Sequence, residues 1–251
     1  MKTLKKPWNR LLAALLLSMV GLAAHADVVR IAVAANFTAA MREISKSFET
    51  TSDYRTLVSY GSTGKLYTQI IHGAPFEVFL SADQHRPTLL EAAGKANGRF
   101  TYATGRLVLW SQTSGLDLGR ETLNHEQFNR LAIANPKIAP YGTAALEVLT
   151  GLGAYERLRP RLVIGDSVGQ AYQFVATGNA ELGLVALAQV SLNDRGSRWL
   201  VPETMHTPVR QDAVLLEKGN RNPAARAFIE YLKTPAAQRI IQRYGYDTGP
   251  Q

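Results

Sequence analysis

The chain has 251 residues, no cysteine and a formal net charge of +8, from 28 Lys and Arg against 20 Asp and Glu. The lack of cysteine excludes disulfides, thiol catalysis and cysteine-ligated metals. Nucleic-acid binding is disfavoured as well, because the sequence has no dense Lys/Arg run, zinc-finger spacing or aromatic-basic RNA motif.

Lys2, Lys5, Lys6 and Arg10 form a basic head, residues 11–24 an apolar stretch, and Ala24-His25-Ala26 a small-x-small cleavage site. The apolar stretch is shorter than the roughly 20 residues of a spanning helix. A signal peptide is therefore predicted over 1–26, cleaved after Ala26, with the mature chain beginning at Asp27 in a bacterial periplasm. That leader holds four basic residues and no acidic one, so the mature chain carries only +4, a mild field that helps to draw in an anion. No later apolar run has spanning length, and the mature product is expected to be soluble.

From residue 28 onward, apolar β-type runs alternate with helical stretches, which predicts an α/β protein with mainly parallel sheets. The expected order is strand 28–34, helix 38–49, strand 56–60, helix 64–72, strand 77–81, and a helix to about 93 capped by Asp83 or Ser81. A long strand-like passage follows at 102–111. Beyond it come strand 131–134, helix 141–150, strand 161–164, helix 168–177, strand 182–187 and a second long strand, 209–216. The tail, 222–244, reads as two amphipathic helices broken at Pro235, whose missing N–H suits a helix start. The two long strands bracket a middle segment. This divides the mature chain into a discontinuous first lobe, 27–105 with 210–251, and an inserted second lobe, 106–209. Hinges are expected near 102–106 and 207–212, with a ligand cleft between the lobes.

Four loop-to-helix junctions share one chemical character: Ala34-Ala35-Asn36-Phe37-Thr38, Tyr60-Gly61-Ser62-Thr63-Gly64, Ala139-Pro140-Tyr141-Gly142-Thr143 and Gly165-Asp166-Ser167-Val168-Gly169. Free N–H groups and the positive end of the dipole make helix starts anion sites. Taken singly, each junction is an ordinary capping sequence. Two in each lobe, closing on one point, suggest a shared anion cleft. Ser62-Thr63-Gly64-Lys65 is not a nucleotide P-loop, since Leu66 stands where a magnesium-binding hydroxyl is needed.

The segments VAANFTAAM, YGSTGKLYTQI, GAPFEVFLSAD, LAIANPKIAPYGTAALEVL, GQAYQFVATGNAELGLVAL and YLKTPAAQRIIQRYGY resemble the periplasmic molybdate-binding proteins of molybdate ABC transporters. The likeness spans essentially the whole mature chain. It implies a type II periplasmic binding protein fold, two α/β lobes joined by a double crossover, holding molybdate or tungstate in the cleft. It further implies a membrane permease as partner, action as a monomer, no cofactor and no catalysis. By motif, the resemblance assigns oxyanion contacts to Asn36 of an A-A-N-F branch, with Ala35 beside it, to Thr63 with Ser62, to Tyr141 and to Val168. Molybdenum is bound as the oxyanion and not as a cation. One departure stands out. Members with an A-A-S-L motif carry a Tyr in the strand where this chain has Ala186, and Tyr141 is expected to supply that phenol from another direction.

Molybdate and tungstate are fully deprotonated near neutral pH, so their oxygens only accept, and a site of amides and hydroxyls suits them. A protonated phosphate asks for a carboxylate, for which Asp166 is the nearest candidate. Sulfate is all-acceptor too and must be rejected by cavity size. Lys65 and Arg106 are the cations closest to the motifs and are expected at the surface or between lobes. The alternatives are a binder of sulfate or phosphate, or a secreted hydrolase. For the last, His72, His85, His125 and His206 lack metal-ligand spacing, no G-x-S-x-G elbow occurs, and Glu77, Asp83 and Glu181 show no pairing.

Overall fold

A computed structural model describes residues 27–125, 128–192 and 195–249; the predicted signal peptide lies outside them. β1 (Val28–Ala34) runs through a 3₁₀ turn (Ala35–Phe37) into α1 (Thr38–Thr51), then β2 (Arg55–Gly61), α2 (Thr63–Ile71), β3 (Val78–Leu80), α3 (His85–Ala92) and β4 (Ala96–Gly105). The chain crosses to β5 (Leu107–Ser111), α4 (Arg120–His125), β6 (Leu131–Ala134), α5 (Pro140–Gly151), α6 (Tyr155–Leu158), β7 (Leu162–Gly165), α7 (Val168–Ala176), β8 (Leu182–Ala186) and β9 (Ser197–Leu200). It returns through β10 (Val209–Leu216), α8 (Pro223–Leu232) and α9 (Pro235–Arg243).

Two mixed sheets result, one in each of two α/β lobes. The first has strand order β2-β1-β3-β10-β4 and the second β7-β6-β8-β5-β9. In the first lobe, β1 pairs in parallel with β2 and β3; in the second, β6 does so with β7 and β8. Such central strands are covered on both faces by helices, which is why VVRIAVA and LAIA read as nearly continuous apolar runs. α1 turns Ala40, Met41, Ile44 and Phe48 to the core at helical spacing. Phe48 there meets Phe228 of α8 edge to face, with ring centroids 5.3 Å apart. Pro235 does open a helix, capped by Thr234, whose Oγ1 accepts from Ala237 N at 3.3 Å.

The structure corrects several expectations. The sheets are half antiparallel: β10 runs against both β3 and β4, and β5 against both β8 and β9. The cause is the double crossover, since a strand arriving from the other lobe enters its sheet from the opposite end. The passage 102–111 is two strands divided at Arg106, one in each sheet. β10 lies wholly in the first sheet, so the return crossing precedes it. β9 and the short helices α4 and α6 had no forecast counterpart. α3 starts at His85 and has no side-chain cap on Gln84, although Asp83 Oδ1 accepts from Arg86 N at 2.9 Å.

Candidate functional site

The parallel strands of both lobes end facing one another, as ligand-binding α/β sheets do. Between them is a small cavity. The first lobe lines it with Ala34, Ala35, Asn36, Gly61, Ser62, Thr63 and Ala82, and the second with Ala139, Pro140, Tyr141, Ser167 and Val168. The residues to which the resemblance assigns oxyanion contacts, Asn36, Ser62, Thr63, Tyr141, Val168 and the neighbouring Ala35, all border this cavity. It is far smaller than the roughly 300–1,000 Å³ of sites for drug-sized molecules and suits a ligand of a few atoms. A larger hollow of about 820 Å³ in the second lobe, bordered by Ser111, Phe128 and Glu181, is not fed by these helix starts. Donor chemistry, not size, singles out the smaller one.

Helix capping decides between a structural and a binding reading of these residues. Ser167 is an ordinary cap: its Oγ accepts from Gln170 N at 3.3 Å. Ser62 is not. It occupies the N-cap position of α2, makes no capping bond, and its buried Oγ has no hydrogen-bond partner. The start of α5 has Ala139 at the cap and Pro140 at the first position, so the first N–H it can offer is that of Tyr141. Ala34 likewise leaves the turn at Ala35–Phe37 without a side-chain cap. Three helical starts therefore bring uncapped amides to the cavity, and a buried hydroxyl left unpartnered costs about 1–3 kcal/mol unless a ligand or water meets it.

The remaining side chains are held in defined roles. Thr63 Oγ1 accepts from Ala82 N at 3.1 Å, which leaves its proton available to the cavity. Asn36 has both amide protons engaged, to Gln211 Oε1 at 2.8 Å and Tyr246 Oη at 2.9 Å. Both of its side-chain protons are thus used inside the protein, which leaves the main-chain N–H as the donor it can offer a ligand. Tyr141 is buried, which raises its phenol well above the usual tyrosine range, and it stays a donor at physiological pH. Ala186 is also buried, does not line the cavity, and gives its N–H to Gln189 Oε1 at 3.0 Å.

Charge is kept outside. None of the lining residues carries a carboxylate, ammonium or guanidinium. Lys65 Nζ reaches Asp166 Oδ2 from the opposite lobe at 2.6 Å, both half exposed or more, and Arg106 pairs with Glu203 at 2.8 Å. The lobes also meet where Gly64 N donates to Ile138 O at 2.8 Å. A Cβ at Gly64 would sit 3.0 Å from the Ile138 backbone, so a glycine is what permits this approach.

Residues that sequence reasoning missed stand directly behind the cavity. Between Gln211 and Asp212 the β10/β4 register shifts, Gln211 facing Ala103 and Asp212 facing Thr101, so Tyr102 is the extra residue of a bulge. Tyr102 and Tyr246 complete a buried polar cluster with Asn36 and Gln211. Tyr246 is held there by a two-way backbone bridge between Thr104 and Asp247. The one signal in the sequence was a Gln-Asp pair inside the otherwise apolar run VRQDAVLL.

The carboxylates weighed as acid/base groups have structural partners. Glu77 accepts from Arg30 N and Asn222 Nδ2, at 2.8 Å each. Asp83 is ion-paired to Arg86, and Glu181 accepts from Asn129 Nδ2 and Arg130 N. His72 and His85 are exposed, and His206 is buried against Thr207 O. The His125 side chain is outside the described residues. Among the described residues no group of three or more His, Asp or Glu is placed to hold a metal ion.

Comparison with known proteins gives concordant matches. The family of bacterial extracellular solute-binding proteins matches residues 29–247. The molybdate-binding protein ModA of Azotobacter vinelandii is 51% identical over 95% of this chain and 97% of its own length. That of Rhodobacter capsulatus is 47% identical over 91% and 92%. Among solved structures, the Azotobacter vinelandii periplasmic molybdate-binding protein superposes with a TM-score of 0.85 at 38% identity, covering 89% of this chain and all of that one.

Proposed function

The chain belongs to the bacterial extracellular solute-binding protein family, and from that premise we propose that it is the periplasmic molybdate- or tungstate-binding component of an ABC importer. The observation that carries this reading is the convergence of three uncapped helical starts and an unpartnered, buried Ser62 hydroxyl on one small cavity without a charged side chain. Main-chain amides of Asn36, Thr63, Tyr141 and Val168, with the hydroxyls of Ser62, Thr63 and Tyr141, form an all-donor shell. Helix dipoles spread the countercharge, so a dianion needs no adjacent Arg or Lys. Tyr141 supplies the phenol that Ala186 lacks. Asp166, the carboxylate nearest in these motifs, does not line the cavity and is tied to Lys65.

The leader is cleaved after Ala26. Lobes 27–105 with 210–251 and 106–209 close on the anion by bending near 102–106 and 207–212, and the closed monomer is what the permease recognises. The protein binds and delivers without catalysis.

Molybdate bound only by the native state stabilises it by mass action, about 2.7 kcal/mol at 100 times Kd. Thermal unfolding is expected to rise with molybdate or tungstate and to stay put with sulfate and phosphate. No shift with any of the four anions contradicts the reading. Thr63 gives a sharper check. Thr63→Val removes a donor and strands the Ala82 N–H, and is expected to weaken molybdate binding about tenfold or more, whereas Thr63→Ser stays within about threefold. Titration calorimetry of the two variants decides it; equal losses would mean that the hydroxyl is not a contact.

A further inference from the structure

Behind the Tyr141 phenol stands the carboxamide of Gln211, 0% exposed, in a fixed orientation. Its Oε1 accepts from Asn36 Nδ2 at 2.8 Å and, at 3.1 Å, shares the Tyr102 hydroxyl proton with Ser81 O. Asn36 is oriented in turn, because Tyr246 Oη donates to Asn36 O at 3.0 Å and therefore receives the other Asn36 proton. With its oxygen committed, Gln211 turns its nitrogen to the second lobe, where Nε2 donates to Tyr141 Oη at 3.4 Å. An amide nitrogen donates and never accepts. Gln211 therefore offers the Tyr141 proton no acceptor, while the residue borders the cavity.

We propose that Gln211 is a positioning residue that makes Tyr141 a one-way donor into the cavity, and so sets the site against oxyanions that carry a proton. This rests on the reading of Tyr141 as an anion contact. A phenol free to rotate offers either its proton or a lone pair, and so serves protonated and unprotonated anions alike. Held from behind by Gln211, it serves only an acceptor. The selectivity is set by a residue that need not touch the ligand, on the opposite lobe from the phenol it orients.

Gln211→Glu tests this with little change in shape. The glutamate keeps the oxygen that Asn36 and Tyr102 bond, but presents to Tyr141 an oxygen that accepts the phenolic proton and turns the lone pairs toward the cavity. Its charge repels molybdate and monohydrogen phosphate, both dianions at mildly alkaline pH, to the same degree, so the ratio of the two affinities isolates the proton pattern. The molybdate-to-phosphate ratio is expected to fall about tenfold in Gln211→Glu, and not to move when the same change is made in Tyr141→Phe. Melting of the unliganded proteins verifies folding. If Gln211→Glu does not fold, Gln211→Met is expected to weaken molybdate binding about threefold with the phenol present and not at all in Tyr141→Phe. An unchanged ratio, or equal effects with and without the phenol, overturns the proposal while Tyr141→Phe alone still loses affinity. No loss in Tyr141→Phe alone removes the contact reading and this inference together.

Discussion

Gly105→Ala is expected to weaken molybdate binding about a hundredfold or more while leaving the two lobes folded. Gly105 ends β4 at the outward crossing, and a methyl group there would overlap the Tyr141 hydroxyl and lie 2.6 Å from Gln211 Nε2. The backbone at 105 does not have a positive φ, so alanine meets no local strain, and the clash is with the Tyr141 phenol of the opposite lobe and the Gln211 amide of its own. Displacing the phenol loses a hydrogen bond to a charged ligand, about 1.5–3 kcal/mol. Overpacking of the closed form adds about 1–3 kcal/mol. Together these amount to two or more decades in Kd. Calorimetry reads the affinity, and small-angle scattering reads closure, which Gly105→Ala/Tyr141→Leu should recover without recovering tight binding. Molybdate affinity within about threefold of wild type in Gly105→Ala would show that the phenol does not occupy this place in the bound state.

The largest expected loss of stability comes from Arg99→Met. Asp212, on the strand after Gln211, has a fully buried side chain. It accepts from Arg99 Nη1 at 2.6 Å, Thr101 Oγ1 at 2.6 Å and Gln84 Nε2 at 3.2 Å. Removing the guanidinium leaves a buried carboxylate without its countercharge, a change worth about 3–5 kcal/mol. The two remaining bonds put the expectation near the lower end. At about 2–4 °C per kcal/mol for a domain of this size, melting should fall by about 6–12 °C. Arg99→Met/Asp212→Asn should recover most of it, because a neutral amide needs no counterion. An equally unstable double variant would assign the loss to packing of the arginine stem.

The two consecutive polar residues of β10 serve different partners. Gln211 faces the polar cluster behind the cavity, and Asp212 clamps β10 to β4 through Arg99 and Thr101. The bulge at Tyr102 permits both, since it adds a residue to β4 where the two strands leave the first lobe. A strand pair that is pinned on one side and hydrogen-bonded to the other lobe on the other is suited to bend at its end.

Much of the architecture was legible from residue order alone. Alternation of apolar runs and amphipathic stretches gave the α/β class, and β1, β6 and β10 fall where the sequence placed them. The helix starts at Thr63, Pro140 and Val168 were marked by small, hydroxyl and proline residues whose preferences act within one turn of backbone. The residues forming the cavity were legible for the same reason, because they lie at those starts. Only the tertiary structure decided whether a hydroxyl at such a start is a cap or a free donor: Ser167 caps and Ser62 does not. It also decided the antiparallel half of each sheet, the existence of β9, and the partners of Tyr141. Gln211 meets Tyr141, Asn36 and Tyr246 join the cluster, across 70 to 210 residues of chain. Propensity and periodicity report on forces between near neighbours. The direction of a phenol's proton depends on a side chain delivered by the second crossing, and no local pattern records that.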